Sequence, residues 1–230
     1  MSSKFYLFLK RAFDIFSASL ALVVTLPIWL IAALGIFVSD PGPIFYRAAR
    51  VGRDNRTFRM WKFRSMRVPK NDSERSEASF KADENRIFPF GSLIRKLKID
   101  ELPQLLNIIG GTMSVVGPRP ASIDQVEIMR AGKYSVASKV RPGLTGPAAL
   151  YDYIYGDSIE DPEEYKRLVL PTRLELEAYY PKRMSAGYDI KMIWYTVVAI
   201  IATVFGKHPE KIYNELTTAV DVDTASEVLK

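Results

Sequence analysis

Residues 15–39, IFSASLALVVTLPIWLIAALGIFVS, form an apolar block that carries no charge. As an α-helix rising 1.5 Å per residue it is about 37 Å long, enough for a hydrocarbon core of roughly 30 Å. It is too long for a cleaved signal peptide and has no convincing small-x-small exit. Two features complicate a plain span. Pro27 stands mid-block and removes an internal hydrogen bond, which favours a break. Both flanks are basic, with Lys4, Lys10 and Arg11 before the block and Arg47 to Arg59 after it, so the positive-inside rule assigns both ends to the cytoplasm. A helix-break-helix hairpin entering and leaving by one face accounts for both features, with Ser17, Ser19 and Thr25 available to freed carbonyls. A spanning helix accounts for the length. On these residues both readings stand.

A second apolar run, Met192 to Phe205, has 14 residues, short for a span and suited to an interfacial or buried helix. Between the two runs the pattern changes period. SDPGP (39–43) reads as a turn. IFYRAARVG and RTFRMWKFRSM read as two strands joined by RDN, a β-hairpin with Gly52 and Asn55 near its bend. The polar stretch 67–86 reads as a flexible loop. PFGSLIRKLKI predicts a short basic helix with Ser92 as N-cap. MSVVGPRP predicts a short strand entering a rigid loop, and VRPGLTGP a second Gly/Pro loop. Residues 160–184 predict an amphipathic helical region broken at Pro171 and Pro181, and the tail after Lys207 is polar, with disorder expected. The organisation is a membrane segment at 1–40, a membrane-associated cytosolic unit at 41–207 and a polar tail at 208–230.

Composition narrows the chemistry. The 230 residues include no cysteine and one histidine, His208. Thiol catalysis, Cys-ligated zinc, a His-based triad and a multi-His metal site are therefore excluded within one chain. Nucleophilic or acid–base work falls to carboxylates, Lys or Tyr. The net charge of +6 points to an anionic partner, and it is concentrated: nine basic residues stand between Arg47 and Lys70 against one acid, Asp54.

Asp100 and Glu101 in KIDELPQLLNIIGG (98–111) lie between a basic run and an apolar helical pattern. Asp is a favoured N-cap, acids suit the first turn, and Pro103 is tolerated there. Leu102, Leu105, Leu106 and Ile109 then share one face, and Gly110-Gly111 ends the helix. Helix capping and chemistry both fit this pair locally. Lys62, Arg64, Arg95, Arg119 and Arg141 stand in or beside turns, where guanidinium forks suit phosphate oxygens and carboxylates beside phosphates suit Mg²⁺. No stacking array or nucleic-acid-reading motif accompanies the basic residues.

The ordered set KRAFDI (10–15), GPIFYR (42–47), RVG (50–52), KFRSM (62–66), IDELPQLLN (99–107), MSVVGPRP (113–120) and RPGLTG (141–146), with a looser YDIKMIWYTV (188–197), resembles the monotopic polyprenyl-phosphate phosphoglycosyl transferases, also called bacterial sugar transferases. The chain departs from them at Ala48, usually Gln, at Asn55, often Gly, and at Thr112, commonly Asp. After RPGLTG it has PAALYDY where the family often has a Trp and a Gln-Val-Asn-Gly stretch. The resemblance implies an α/β (α+β) fold with a re-entrant membrane helix, a β-hairpin packed on helices, and interfacial amphipathic helices. It implies transfer of phospho-sugar from a UDP-sugar to polyprenyl phosphate, releasing UMP and starting a bacterial surface glycan at the cytoplasmic face of the inner membrane. Asp100 is the implied nucleophile. By the same resemblance Glu101 is the candidate for orienting the metal or the incoming phosphate, with Mg²⁺ expected to be held through both acids. The resemblance further implies that Lys62, Arg64, Arg95, Arg119 and Arg141 serve the phosphates and that Asp189 supports the metal or ribose region. The partners expected are UDP-sugar, polyprenyl phosphate and membrane lipid, with no nucleic acid; a homodimer is compatible with this reading.

Overall fold

The structure is a computed structural model of the chain and describes residues 4–67, 86–159 and 161–228. The expected loop at 67–86 therefore lies, apart from its two ends, outside the described residues. At those ends Arg67 N donates to Arg86 O at 2.8 Å.

Helix α1 runs from Lys4 to Ser39. The helix continues through Pro27 without the expected break, and the Thr25 hydroxyl donates to Ala21 O (2.7 Å), one turn back. The helix is docked along its length. Near the N-terminus Lys10 meets Asp189 and Arg11 donates to the carbonyls of Ile108 and Ile109. Asp14, 1% exposed, accepts from Ser114 Oγ and from Val115 N (2.9 Å). Ala18 packs with Met60, Ile108 and Met113, and Ala32 and Ile36 pack with Phe63 and Phe88. Just past the C-terminal end, Asp40 is paired with Arg64. The opposite side of α1 is an apolar stripe left in the open, Phe8, Leu20, Val24, Ile31 and Phe37 among it.

Strands β1 (Phe45–Val51) and β2 (Thr57–Phe63) form the expected antiparallel hairpin, with Asp54 and Asn55 in the left-handed region at its tip. Helix α2 spans Pro89–Lys96, so Ser92 lies inside it; Phe88 precedes the helix and Pro89 supplies the pre-set φ of a first turn. Helix α3 is Gln104–Ile109. Its buried positions are Gln104, Leu105, Asn107 and Ile108, while Leu106 is exposed. The polar Asn107 is inside because it pins β2: it accepts from Trp61 N (2.8 Å) and donates to Arg59 O (2.9 Å).

Strand β3 (Ser114–Val116) pairs in parallel with β5 (Gly143–Thr145), and β4 (Ala121–Ser122) adds to β1, giving the order β2-β1-β4 in the larger sheet. The glycines of VGPRP and RPGLTG have a steric reason. A Cβ on Gly117 would stand 2.4 Å from Arg141 O, and one on Gly146 2.2 Å from Gly117 O. The two loops touch backbone to backbone, so Arg119 and Arg141 project from one rigid unit.

After the short helix α4 (Val126–Met129), helices α5 (Pro147–Ile154), α6 (Pro162–Leu168), α7 (Leu170–Arg183) and α8 (Ala186–Val204) build the larger core, around Tyr151, Leu176 and Tyr180. Pro171 sits in the first turn of α7, but Pro181 lies inside that helix rather than breaking it. At 19 residues α8 is longer than its apolar run, and like α1 it is long and apolar enough to cross a membrane. The stretch expected as a disordered tail forms helix α9, Glu210–Val228. Ile212, Leu216 and Val220 recur every four residues and are buried in the core, and Tyr213 stacks on Tyr151.

Candidate active site

Asp100 and Glu101 occupy a tight turn, Ile99–Glu101, between α2 and α3. Lys98 enters it in the left-handed conformation, φ 55°, which is uncommon for a residue other than Gly, Asn or Asp. The turn separates Asp100 from α3, whose N-cap is Pro103, so Asp100 does not cap that helix. It is 4% exposed.

Lys62, from β2, reaches both acids: its Nζ is 3.0 Å from Glu101 Oε1 and 3.7 Å from Asp100 Oδ2. Lys98 contacts Asp157 at 3.2 Å and lies 4.5 Å above the Tyr153 ring. The two carboxylates respond differently to this setting. Burial pushes Asp100 above its usual range, against the pull of Lys62 and Arg95. Burial acts on Glu101 in the same sense, but Lys62, Lys98 and Arg119 outweigh it and hold Glu101 down at about 2. The turn thus holds one readily ionised carboxylate beside a second whose charge is costly.

Of the residues expected from sequence, the structure brings together Asp100, Glu101, Lys62, Arg95 and Arg119. Arg95 lies five residues upstream on α2, its Nη1 3.9 Å from Met66 Sδ, and its charge acts on Asp100. Arg119 is partly exposed, pairs with Asp152 (2.9 Å) and acts on Glu101. Three other candidates have different partners. Arg64 is 4% exposed and committed to Asp40 and to Pro43 O, a structural clamp at the end of α1. Arg141 donates to Gly111 O (2.9 Å), among Arg11 and Arg53. Asp189 accepts from Tyr180 (2.7 Å), Tyr6 (2.9 Å) and Lys10 (2.6 Å), a hub joining α1, α7 and α8. Sequence reasoning missed Lys98 and Asp152. The position of Lys98 two residues before Asp100 was a usable signal; Asp152 had none, because its partners lie in other elements.

Among the described residues no group of three or more His, Cys, Asp or Glu side chains gathers as a metal site. Asp100 and Glu101 share Lys62 as counter-ion, and two carboxylates on one turn are a donor set of the kind Mg²⁺ takes when substrate phosphates and water complete its shell.

Residues 5–203 match the bacterial sugar transferase family. The UDP-glucose:undecaprenyl-phosphate glucose-1-phosphate transferase of Escherichia coli (strain K12) is 36% identical over 192 residues, 82% of this chain and 39% of that protein. The UDP-N-acetylgalactosamine-undecaprenyl-phosphate N-acetylgalactosaminephosphotransferase of Aeromonas hydrophila is 36% identical over 212 residues, 90% of this chain and 46% of that protein. The exopolysaccharide production protein PSS of Rhizobium leguminosarum bv. phaseoli is 37% identical over 202 residues, 84% of this chain and 95% of that protein. The chain spans less than half the length of the first two and nearly all of the third. With the Asp100–Glu101 turn and the touching glycine loops inside a match of this extent, the chain belongs to the bacterial sugar transferase family.

Proposed function

We propose that the chain transfers phospho-sugar from a UDP-sugar to polyprenyl phosphate, at the cytoplasmic face of the bacterial inner membrane, in surface glycan synthesis. The observation that carries this reading is a buried Asp100 with Lys62 Nζ 3.7 Å from its carboxylate and the charges of Arg95 and Lys98 acting on it, while Arg119 acts on the neighbouring Glu101. An Asp100 oxygen attacks the β-phosphorus of the UDP-sugar. The bond from that phosphorus to the bridging oxygen breaks, and UMP leaves with the electron pair. A phosphate oxygen of the polyprenyl phosphate then attacks the same phosphorus, returning the carboxylate and forming polyprenyl-diphospho-sugar. Phosphoryl transfer of this kind depends mainly on positioning and charge neutralisation, which the four cations supply. Mg²⁺ held by Asp100 and Glu101 would add neutralisation of phosphate charge.

The docking of α1, which continues through Pro27, supports a segment seated in one leaflet with both flanks on the same face rather than a spanning one. Both of its ends are tied to the same body, through Lys10–Asp189 at one and Asp40–Arg64 at the other. The open apolar stripe between them suits lipid, as do Trp194 and Ile201 on α8. This arrangement brings a soluble donor and a lipid-bound acceptor to one nucleophile. The reading is tested by UMP release from a panel of UDP-sugars with undecaprenyl phosphate and Mg²⁺. Sustained release with at least one sugar, dependent on the lipid, is expected. Release from none overturns the reading.

A further inference from the structure

Arg119 is held at both ends by a closed ring of buried charges. Its guanidinium Nη1 lies 2.9 Å from Asp152 Oδ2. Asp152 accepts from Tyr165 OH (2.6 Å), and Arg173 Nη1, which donates to that hydroxyl (2.7 Å), stands 3.8 Å from Asp152 Oδ2. Arg173 Nε continues to Glu177 at 3.5 Å, and Glu177 accepts from Arg130 Nη1 at 2.6 Å. Arg130 closes the ring by donating Nη2 to the backbone carbonyl of Arg119 (3.0 Å). Three guanidiniums face two carboxylates, which leaves one surplus positive charge. Four members have side chains no more than 7% exposed, whereas Arg119 is 38% exposed, so the surplus surfaces there. The segment carrying Asp152 also touches the reactive turn, through Tyr153 and Asp157 against Lys98.

We propose that Asp152 is a positioning residue, which fixes the Arg119 guanidinium beside the Asp100–Glu101 turn so that it meets the donor diphosphate in a preset orientation. This rests on the transferase reading above. A free arginine side chain samples many rotamers and must be ordered when phosphate binds. An arginine held at both its carbonyl and its guanidinium has largely been ordered by folding. Asp152 itself does not touch the substrate, and its effect passes through Arg119.

The test is donor kinetics of Asp152→Asn, which keeps the shape and removes the charge, combined with Arg119→Ala in a double-mutant cycle. Loss of positioning is expected to raise KM for the UDP-sugar about tenfold, with kcat changed far less. In the Arg119→Ala background the same substitution should add less than about twofold, because the residue it acts through is already gone. Asp152→Glu keeps the charge and displaces it by one methylene, so it serves if Asp152→Asn does not fold, and it too should raise KM. A wild-type KM in both variants, or an equal effect with and without Arg119, overturns the positioning role alone. A wild-type chain that releases no UMP from any UDP-sugar overturns the parent reading and this role together.

Discussion

At Asp100 and Glu101, neighbours in one tight turn, burial strips solvation from Asp100 and part of it from Glu101, and the cations reach them unequally. Glu101 is held at about 2, whereas Asp100 stays above its usual range. For an acid whose folded pKa is raised, the stabilising contribution is complete below the unfolded pKa and is lost as pH rises through the folded one. Ionised Asp100 therefore strains the fold at neutral pH. Asp100→Asn should raise Tm at pH 7, and the gap to wild type should close on acidification through the Asp100 pKa, as thermal melts across pH will measure. Because Asp100 protonates well before Glu101 as pH falls, the acid limb of kcat/KM should report Asp100. Removing Lys62, which pulls that pKa down, should move the limb to higher pH, and pH–rate profiles of Lys62→Met check the direction. Asp100, Glu101, Lys62, Arg95 and Arg119 were legible as residues because each stands in a short motif with fixed spacing. Arg64 stands in such a motif too, but the structure commits it to Asp40, which lies across a turn and a hairpin, and no local pattern shows that the pair closes. Asp152 sits in PAALYDY, the stretch that departs from the family pattern, and its role emerges only when α5, α6 and α7 pack.

The elements divide along the same line between local and long-range information. The hairpin, β3 and the apolar core of α8 were legible because period and turn chemistry are local. Helix α9 was not, since three apolar residues four apart in a polar stretch are weak evidence until α5, α7 and α8 present a surface for Ile212, Leu216 and Val220. The same applies to α1, where Pro27 predicted a break and the helix instead continues while docked at both ends. Glycine spacing in VGPRP and RPGLTG was visible, and its steric reason was not. Gly117→Ala places a Cβ 2.4 Å from Arg141 O and 2.7 Å from Gly143 N, both backbone atoms that cannot rotate aside. The strain should cost about 1–3 kcal/mol, or several degrees in Tm at roughly 2–4 °C per kcal/mol. UMP release should fall as well, because the loop that aims Arg119 must shift. Melting curves and initial rates on one preparation measure both.

At the scale of the whole molecule, one body holds both ends of α1, and the proposed acceptor, polyprenyl phosphate, stays in the bilayer. Single cysteines added at either flank of α1, in a chain that has none of its own, should both react from the cytoplasmic side. Labelling of the N-terminal flank from the periplasm would contradict the one-leaflet arrangement. The central claim, that Asp100 carries the phospho-sugar between the two substrates, is tested most directly by presenting the purified chain with a UDP-sugar labelled at its β-phosphorus and with no lipid acceptor. Wild type should release about one UMP per chain in a burst and retain the label on the peptide containing Asp100, while Asp100→Asn does neither. Label retained by Asp100→Asn, or turnover by wild type with acceptor present and no labelled protein at any time, would contradict it.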